Sequence, residues 1–469
     1  MDRPNIILIT TDEQRWDTLG CYGNQKVKTP TLDALAAKGT LFAKAYNQNP
    51  VCIPARACLQ TGRYTRQHGV SYMEAAVDST PGLPPWERTF MEELQDAGYV
   101  TAAFGKIHMM PPKGYNETQL TGGKGSRWTQ SYGSPLGPGP LGPVYARWLD
   151  SVHPGGYELI YEQRREPVYR KYMTAITNVL PLEEYIDTWI TENTREFVSR
   201  DHDQPFFAWC GICGPHGPFD PPRPYDSMYP SDFVDVSPTY LADDSDKPKH
   251  LQNGGGRFAK EPDDSLIRRV TAFYWGLCTY IDDMMERLFQ TLEECGKADN
   301  TLIIFTSDHG DHMGDWSRGG KGTFWEGSAR VPFIVVPPAD LPRVPNVDGV
   351  IGTFQVAPTI LDYAGVDIPR EMQATSLKSV VEGAEDAPGF ALCEYEDNNQ
   401  VVRGKSITTN RYKYAFWNTE DGQELYDMEN DPLELHNLAR DPGSQDLVRQ
   451  HKEMLLQHLL DSEKPIRRW

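Results

Sequence analysis

Long apolar runs are missing from this sequence of 469 residues. None approaches the ~18 to 20 residues that a membrane-spanning helix needs, and a hydrophobic content of 39% with a mean hydropathy of −0.56 describes a chain that folds in water and does not cross a bilayer. Positive charge is scarce. The 46 Lys and Arg against 66 Asp and Glu leave a formal charge of −20, which repels nucleic acid at long range and obliges any anionic substrate to be captured by a local basic pocket. The eight cysteines, at 21, 52, 58, 210, 213, 278, 295 and 393, lack the spacing of a disulfide framework, and Cys210-Gly-Ile-Cys213 lacks the second pair that a zinc site needs. All are expected to be reduced, with Cys210 and Cys213 serving as packing. A signal-peptide pattern is missing too: Met1-Asp-Arg-Pro leads into the stretch Asn5 to Thr10, too short and too soon followed by charge. The expectation is a cytoplasmic protein.

What is present is an alternation. Asn5 to Thr10 is a continuous apolar run, the pattern of a buried central strand. Similar runs recur at 99–104, 206–212, 301–306 and 332–336, separated by helical patterns over 181–199 and 264–294. Strands alternating with helices predict an α/β fold whose mostly parallel sheet is covered by helices on both faces. Ligands of such sheets gather beyond the carboxyl ends of the strands. Thr11-Asp12-Glu13, Gly105-Lys106-Ile107-His108, Gly214-Pro215-His216 and Ser307-Asp308-His309 each follow an apolar run, so one site could receive all four. The chain is too long for one core, and its pattern changes near 367. A large α/β domain over 1–366 and a smaller α+β domain over 367–469 are expected, the latter with a strand near 411–417 and a final helix near 446–460. Two loop-rich insertions, near 110–168 and 218–262, are expected to shape the pocket mouth; the first contains the Gly/Pro run 133–143.

The strongest local signal is Pro50-Val-Cys52-Ile-Pro54-Ala-Arg56, followed by Ala57-Cys-Leu-Gln-Thr-Gly62-Arg-Tyr. Pro54 suits the first turn of a helix, which puts Cys52 at the helix N-terminus, where backbone N–H groups favour negative charge. An isolated cysteine beside a basic residue would read as structural. The surrounding pattern reverses that: C-I-P-A-R followed by L-x-T-G-R-Y resembles the signature of the formylglycine-dependent sulfatases of the alkaline phosphatase superfamily, with Ala55 where the family usually has Ser. The resemblance extends along the chain. Asp12-Glu13-Gln14 with Asp17-Thr-Leu-Gly-Cys-Tyr-Gly looks like the family's N-terminal metal segment, with Glu13 in place of a second Asp. Ser307-Asp308-His309-Gly310-Asp311 resembles the segment supplying further ligands. Gly105-Lys106-Ile107-His108 matches Gly-Lys-x-His, Gly214-Pro-His216-Gly-Pro218 matches Pro-His-x-Pro, and Lys321 precedes a run resembling Glu-x-x-x-Arg-Val-Pro, whose Glu326 and Arg330 have the spacing of a structural ion pair.

The resemblance implies an alkaline phosphatase-like fold and a sulfatase that hydrolyses the sulfate ester of a saccharide or another small alcohol or aryl compound. It implies a metal held by Asp12, Glu13, residue 52, Asp308 and His309, with Glu13 binding directly, through water, or only supporting the site, and a catalytic set of Cys52, Arg56, Lys106, His108, His216 and Lys321. Carboxylates plus one histidine suit Ca2+, the family's usual metal, or Mg2+ or Mn2+, and argue against a thiolate-rich zinc site. Cys52 would be oxidised to formylglycine by a separate maturation enzyme. The resemblance further implies that Arg56 holds the nucleophile, that Lys106 and Lys321 neutralise the sulfate oxygens, that His216, alone or with Lys321, protonates the leaving alcohol, and that His108 takes the proton whose removal expels sulfate. Substrate selection is expected from the two insertions and from basic residues such as Arg403, Arg411 and Lys413. Two other readings are a phosphonate monoester or phosphodiester hydrolase of the same superfamily, and a catalytically silent protein that binds sulfated glycans. The sequence leaves the oligomeric state open.

Overall fold

The computed structural model describes residues 3–72, 82–109, 111–124, 143–252, 263–397 and 401–463. Among them, nine strands form one large sheet: β1 (Asn5–Asp12), β2 (Thr40–Tyr46), β3 (Val100–Gly105), β4 (Glu117–Leu120), β5 (Phe206–Pro215), β6 (Thr301–Ser307), β7 (Arg330–Val331), β8 (Phe333–Val336) and β9 (Asn346–Gly352). The order is β4-β3-β5-β1-β6-β8-β2-β7, with β9 beside β2. From β4 to β6 every pairing is parallel, so these five strands end on one side of the sheet. The run at 332–336 departs from the others: β8 lies antiparallel to β6 and to β2.

Continuous apolar runs dictate the centre of the sheet. Ile6, Ile7, Leu8 and Ile9 are all fully buried, because β1 lies between β5 and β6 and both its faces are covered. On one face lie α1 (Pro30–Lys38) and the long α9 (Asp264–Glu294), with α8 (Ile186–Ser199) between β3 and α9. On the other lie α4 (Phe90–Asp96) and α11 (Val356–Tyr363), with α2 (Cys52–Thr61) and the short α3 (Thr65–His68) leading away from the site. Asp263 starts α9 by accepting hydrogen bonds from Ser265 N and Leu266 N, an N-cap that matches the expected boundary.

The stretch 110–168 is more ordered than its composition implies. It adds the edge strand β4 and the helices α5 (Pro143–Val152) and α6 (Gly156–Arg165), then α7 (Pro167–Lys171). Tyr145, Ala146 and Leu149, then Tyr157 and Ile160, recur at helical spacing and are buried against Trp189 of α8 and its neighbours. Except for Pro143, the Gly/Pro run 133–143 lies outside the described residues. The described part of 218–262 consists of extended chain and short 3-10 turns.

After β9, Met372, Leu377, Val380 and Val381, the last two in α12 (Lys378–Val381), still pack into the core of the large sheet. A second, antiparallel sheet of β10 (Phe390–Glu396), β11 (Arg403–Thr409), β12 (Tyr412–Trp417) and β13 (Gln423–Asp427) follows, and α13 (Gln445–Asp461) closes its far side. Between this sheet and the large one lies α10 (Glu326–Ala329). Lys413, expected at the surface as a substrate contact, is instead 1% exposed and is held between Glu326 (2.6 Å) and Glu434 (2.7 Å). Arg403 and Arg411 are exposed and pair with Glu396 and Asp427, both at 2.8 Å. No helix among the described residues is long and apolar enough to cross a membrane.

Candidate active site

The four polar clusters meet because β3, β5, β1 and β6 are neighbours and parallel. Asp12 ends β1, Lys106 follows β3, His216 follows β5, and Asp308 and His309 follow β6. Cys52 completes the group from the first position of α2, where the extended Val51 (φ −140°, ψ 140°) turns the chain into the helix. One ligand atom from each of Asp12, Cys52, Asp308 and His309 lies within 4.8 Å of the others, and all four side chains are buried. Cys52 Sγ is 3.1 Å from His309 Nε2, 3.7 Å from Asp12 Oδ1 and 3.0 Å from Lys321 Nζ.

The surroundings orient these atoms. His309 Nδ1 donates to the carbonyl of Gly310 at 2.9 Å, which leaves the Nε2 lone pair facing the cluster. Arg56 lies one helical turn beyond Cys52 on the same face of α2. Its guanidinium is fully buried, and its donors are taken by Asp308 Oδ2 (2.8 Å), the Lys106 carbonyl (2.5 Å) and the Thr11 carbonyl (3.4 Å). Arg56 therefore locks one carboxylate and two strand ends together. Lys106 Nζ forms an ion pair with Asp12 Oδ2. Behind it, Gly123 (φ +93°) approaches so closely that a Cβ there would lie 3.0 Å from Lys106 Cδ.

Glu13 stands apart from the four-residue cluster. In a left-handed conformation (φ 68°) it turns its carboxylate outward, with Oε1 3.3 Å from Lys321 Nζ and Oε2 3.2 Å from His216 Nε2. In this arrangement Glu13 bridges the Lys321 ammonium and the His216 imidazole. Asp311, which the sequence reading passed over, is also buried; it accepts from Met313 N (2.7 Å) and Gly320 N (2.9 Å) and so shapes the turn that delivers Lys321. The D-H-G-D spelling was the available signal for it.

Burial dominates the electrostatics. It would push the Asp12 carboxyl up, but Lys106, His216, Arg56 and Lys321 together hold it well below the usual carboxylate range. Burial lifts the Cys52 thiol to about 11, with Lys321 and Lys106 pulling it down and Asp12 and Asp308 pushing it up. At neutral pH an unmodified Cys52 is thus a thiol and a poor nucleophile. Burial also holds His108 and His216 well below the ordinary histidine range, so both imidazoles are neutral.

A model of the family described as Sulfatase matches residues 4–366, the span that contributes every residue of this cluster. The chain belongs to the sulfatase family. A second model, N-sulphoglucosamine sulphohydrolase C-terminal, matches residues 314–461 of the sulfatase. An arylsulfatase of Clostridium perfringens is 29% identical, over 98% of this chain and 95% of its own length. An N-acetylglucosamine-6-O-sulfatase of Bacteroides thetaiotaomicron is 25% identical, over 98% and 86%. Among solved structures, the phosphonate monoester hydrolase of Agrobacterium radiobacter superposes with a TM-score of 0.81 at 23% identity, covering 98% of this chain and 96% of its own, a likeness of fold. The protein is a sulfuric ester hydrolase of the alkaline phosphatase superfamily.

Proposed function

We propose that this sulfatase hydrolyses an O-sulfate ester of a saccharide or another small alcohol or aryl compound, with residue 52 as nucleophile after oxidation to formylglycine by a transient maturation enzyme. The observation that carries the reading is the buried convergence of Asp12, Cys52, Asp308 and His309 within 4.8 Å, flanked by Lys106 and Lys321. Two carboxylates and one imidazole lone pair fit a hard divalent cation, Ca2+ first and Mg2+ or Mn2+ next. Asp12, Asp308 and His309 would hold it with residue 52, and Glu13 joins only by turning away from Lys321 and His216. When bound, the cation supplies charge neutralisation for the sulfate and activation of a hydrated formylglycine oxygen.

This chain's own residues do the rest. Lys106 and Lys321 flank the nucleophile and are placed to neutralise the sulfate oxygens as the sulfur–alcohol bond breaks. Arg56 acts through Asp308, fixing its orientation. His216 Nδ1 donates to the Gly217 carbonyl, so Nε2 faces the site; the charge of an arriving sulfate raises its proton affinity, so that Nε2 takes up a proton from solvent and passes it to the departing alcohol. His108, buried and neutral, is the base that takes a proton from residue 52 to release sulfate. The saccharide preference draws support from the Bacteroides thetaiotaomicron relative, an N-acetylglucosamine-6-O-sulfatase.

The test is the mass of the peptide containing residue 52 in purified protein, together with hydrolysis of aryl and saccharide sulfates with and without chelator. Expected are thiol-to-aldehyde conversion and chelator-sensitive sulfate release. Converted protein that cleaves a phosphodiester faster than any sulfate ester sinks the reading and favours a phosphodiesterase. Converted protein that cleaves neither leaves a glycan-binding protein.

A further inference from the structure

Outward from Lys321 the site is walled by aromatic rings. Gly322 (φ +101°) lies so near Tyr395 that a Cβ there would be 3.4 Å from Tyr395 Cε2. The Tyr395 ring meets Tyr72 edge to face, with centroids 6.3 Å apart at 77°, and meets Trp417 in the same way at 5.8 Å and 70°. Trp417 in turn stacks on Phe324 at 4.6 Å and 30°. Trp417 and Phe324 are buried, whereas Tyr72 and Tyr395 are half-buried. The accessible end of this strip therefore begins one residue from the lysine whose Nζ is 3.0 Å from Cys52 Sγ.

The two tyrosines reach this place from opposite parts of the chain. Tyr395 belongs to β10 of the C-terminal sheet, and Tyr72 follows α3 of the large domain. Glu394, the residue before Tyr395, accepts from the Thr65 hydroxyl and from Arg66 N (3.0 Å), and pairs with the Arg66 guanidinium and with Lys405 (3.0 Å). One buried carboxylate thus fixes both the strand that carries Tyr395 and the helical turn that leads to Tyr72. Burial pushes the Tyr72 hydroxyl up and Lys321 pulls it down, with Cys52 among the groups it senses, which agrees with a position at the edge of the nucleophile's pocket.

In-line attack from residue 52 sends the alcohol away from the attacking atom, and an alcohol that leaves on the Lys321 side meets these rings. Tyrosine offers a rigid apolar face with a polar edge, at low conformational cost. A six-membered ring presents a matching flat face; a short linear alkyl group does not. We infer that Tyr72 and Tyr395 form the wall that receives the leaving alcohol and selects a ring-bearing sulfate ester over a linear alkyl one, an inference that rests on the sulfatase reading above.

The test is binding of three sulfonates, which are not hydrolysed, by calorimetry on the full-length protein: benzenesulfonate, 6-deoxy-6-sulfoglucose and ethanesulfonate. At least one ring sulfonate is expected to bind about tenfold tighter than ethanesulfonate, and the first two arms tell an aryl from a pyranose ring. Tyr395→Ala and Tyr72→Ala should each erase most of that preference, whereas Tyr395→Phe should keep it. Ring and linear sulfonates that bind within about twofold of one another, or a preference that survives both alanine variants, overturn the inference. Should Tyr395→Ala fold poorly, Tyr72→Ala decides. Turnover of a ring sulfate by converted protein is measured in parallel; its failure alone counts against the sulfatase reading and leaves the binding result to judge the wall.

Discussion

Among the buried clusters of lysine and carboxylate in the described residues, one surrounds Cys52 and another lies at the junction with the C-terminal sheet. Around Cys52, Asp12 pairs with Lys106, and Asp308 with Arg56. At the junction with the C-terminal sheet, Lys413 joins Glu326 and Glu434, with the Tyr46 hydroxyl and Arg330 completing the set at 2.8 and 3.1 Å from Glu326. Burial and charge are alike in both; the arrangement differs. At the junction donors and acceptors alternate, so each charge ends on its complement. Beside Cys52 the acceptors converge: carboxylates from Asp12 and Asp308 and the His309 lone pair all face one point. Convergence of like groups costs stability unless something positive occupies that point, which is how a site for a cation differs from a structural ion network.

The largest expected effect comes from breaking the convergent cluster. Asp308→Asn should lower turnover about 10³-fold or more and abolish the rise in melting temperature expected when Ca2+ is added to the starting protein. Scanning calorimetry with and without Ca2+ reads the second outcome independently of activity. If added Ca2+ stabilises the variant and the starting protein alike, the convergent cluster is not the cation site.

Breaking the alternating cluster should act on stability alone. Lys413→Met leaves Glu326 and Glu434 facing one another in the core, and a loss of about 3–5 kcal/mol is expected in denaturant unfolding, with turnover per folded molecule changed less than about threefold. A large fall in turnover at unchanged stability would mean that the junction participates in catalysis.

The third effect is smaller and depends on pH. Burial pushes the Glu394 carboxyl up, but Lys405, Arg66 and the Thr65 hydroxyl outweigh it and hold it at about 2, below its ordinary 4.5. The folded protein binds this proton less tightly than the unfolded chain does, so the stabilisation is complete above pH 4.5 and is lost as the pH falls toward 2. It amounts to about 3 kcal/mol at most. Glu394→Gln should lower stability at neutral pH and flatten the acid limb between those values, measured by urea unfolding across pH.

The convergent cluster was largely legible in the sequence, because all its members but Cys52 sit where an apolar run stops, and Cys52 stands in a motif of its own. The run Asn5–Thr10 becomes β1 and places Asp12; Thr301–Thr306 becomes β6 and places Asp308 and His309. The alternating cluster was not legible. Lys413 occurs in the strand Tyr-Lys-Tyr-Ala-Phe-Trp, where alternation suggests an outward side chain, and its partners come from positions 326 and 434, which no local pattern joins to it. Tyr72 and Tyr395 were silent for the same reason: they meet only through the folding of two distant segments. The helices α5 and α6 were hidden for a different one, since the Gly/Pro run just before them masks a periodicity that burial makes plain. Glu13 shows what the sequence left open: its left-handed backbone turns the carboxylate toward Lys321 and His216.

All ten residues of α2, from Cys52 to Thr61, are buried, and Cys52 itself is 1% exposed. If residue 52 becomes the formylglycine proposed above, a second enzyme would meet a thiol with almost no exposed surface in the folded protein. Oxidation would then have to precede the packing of α2 against the large sheet. The active fraction of a preparation would be set by a race between modification and folding during synthesis, and maturation enzyme supplied afterwards to folded protein would not recover molecules that lost it.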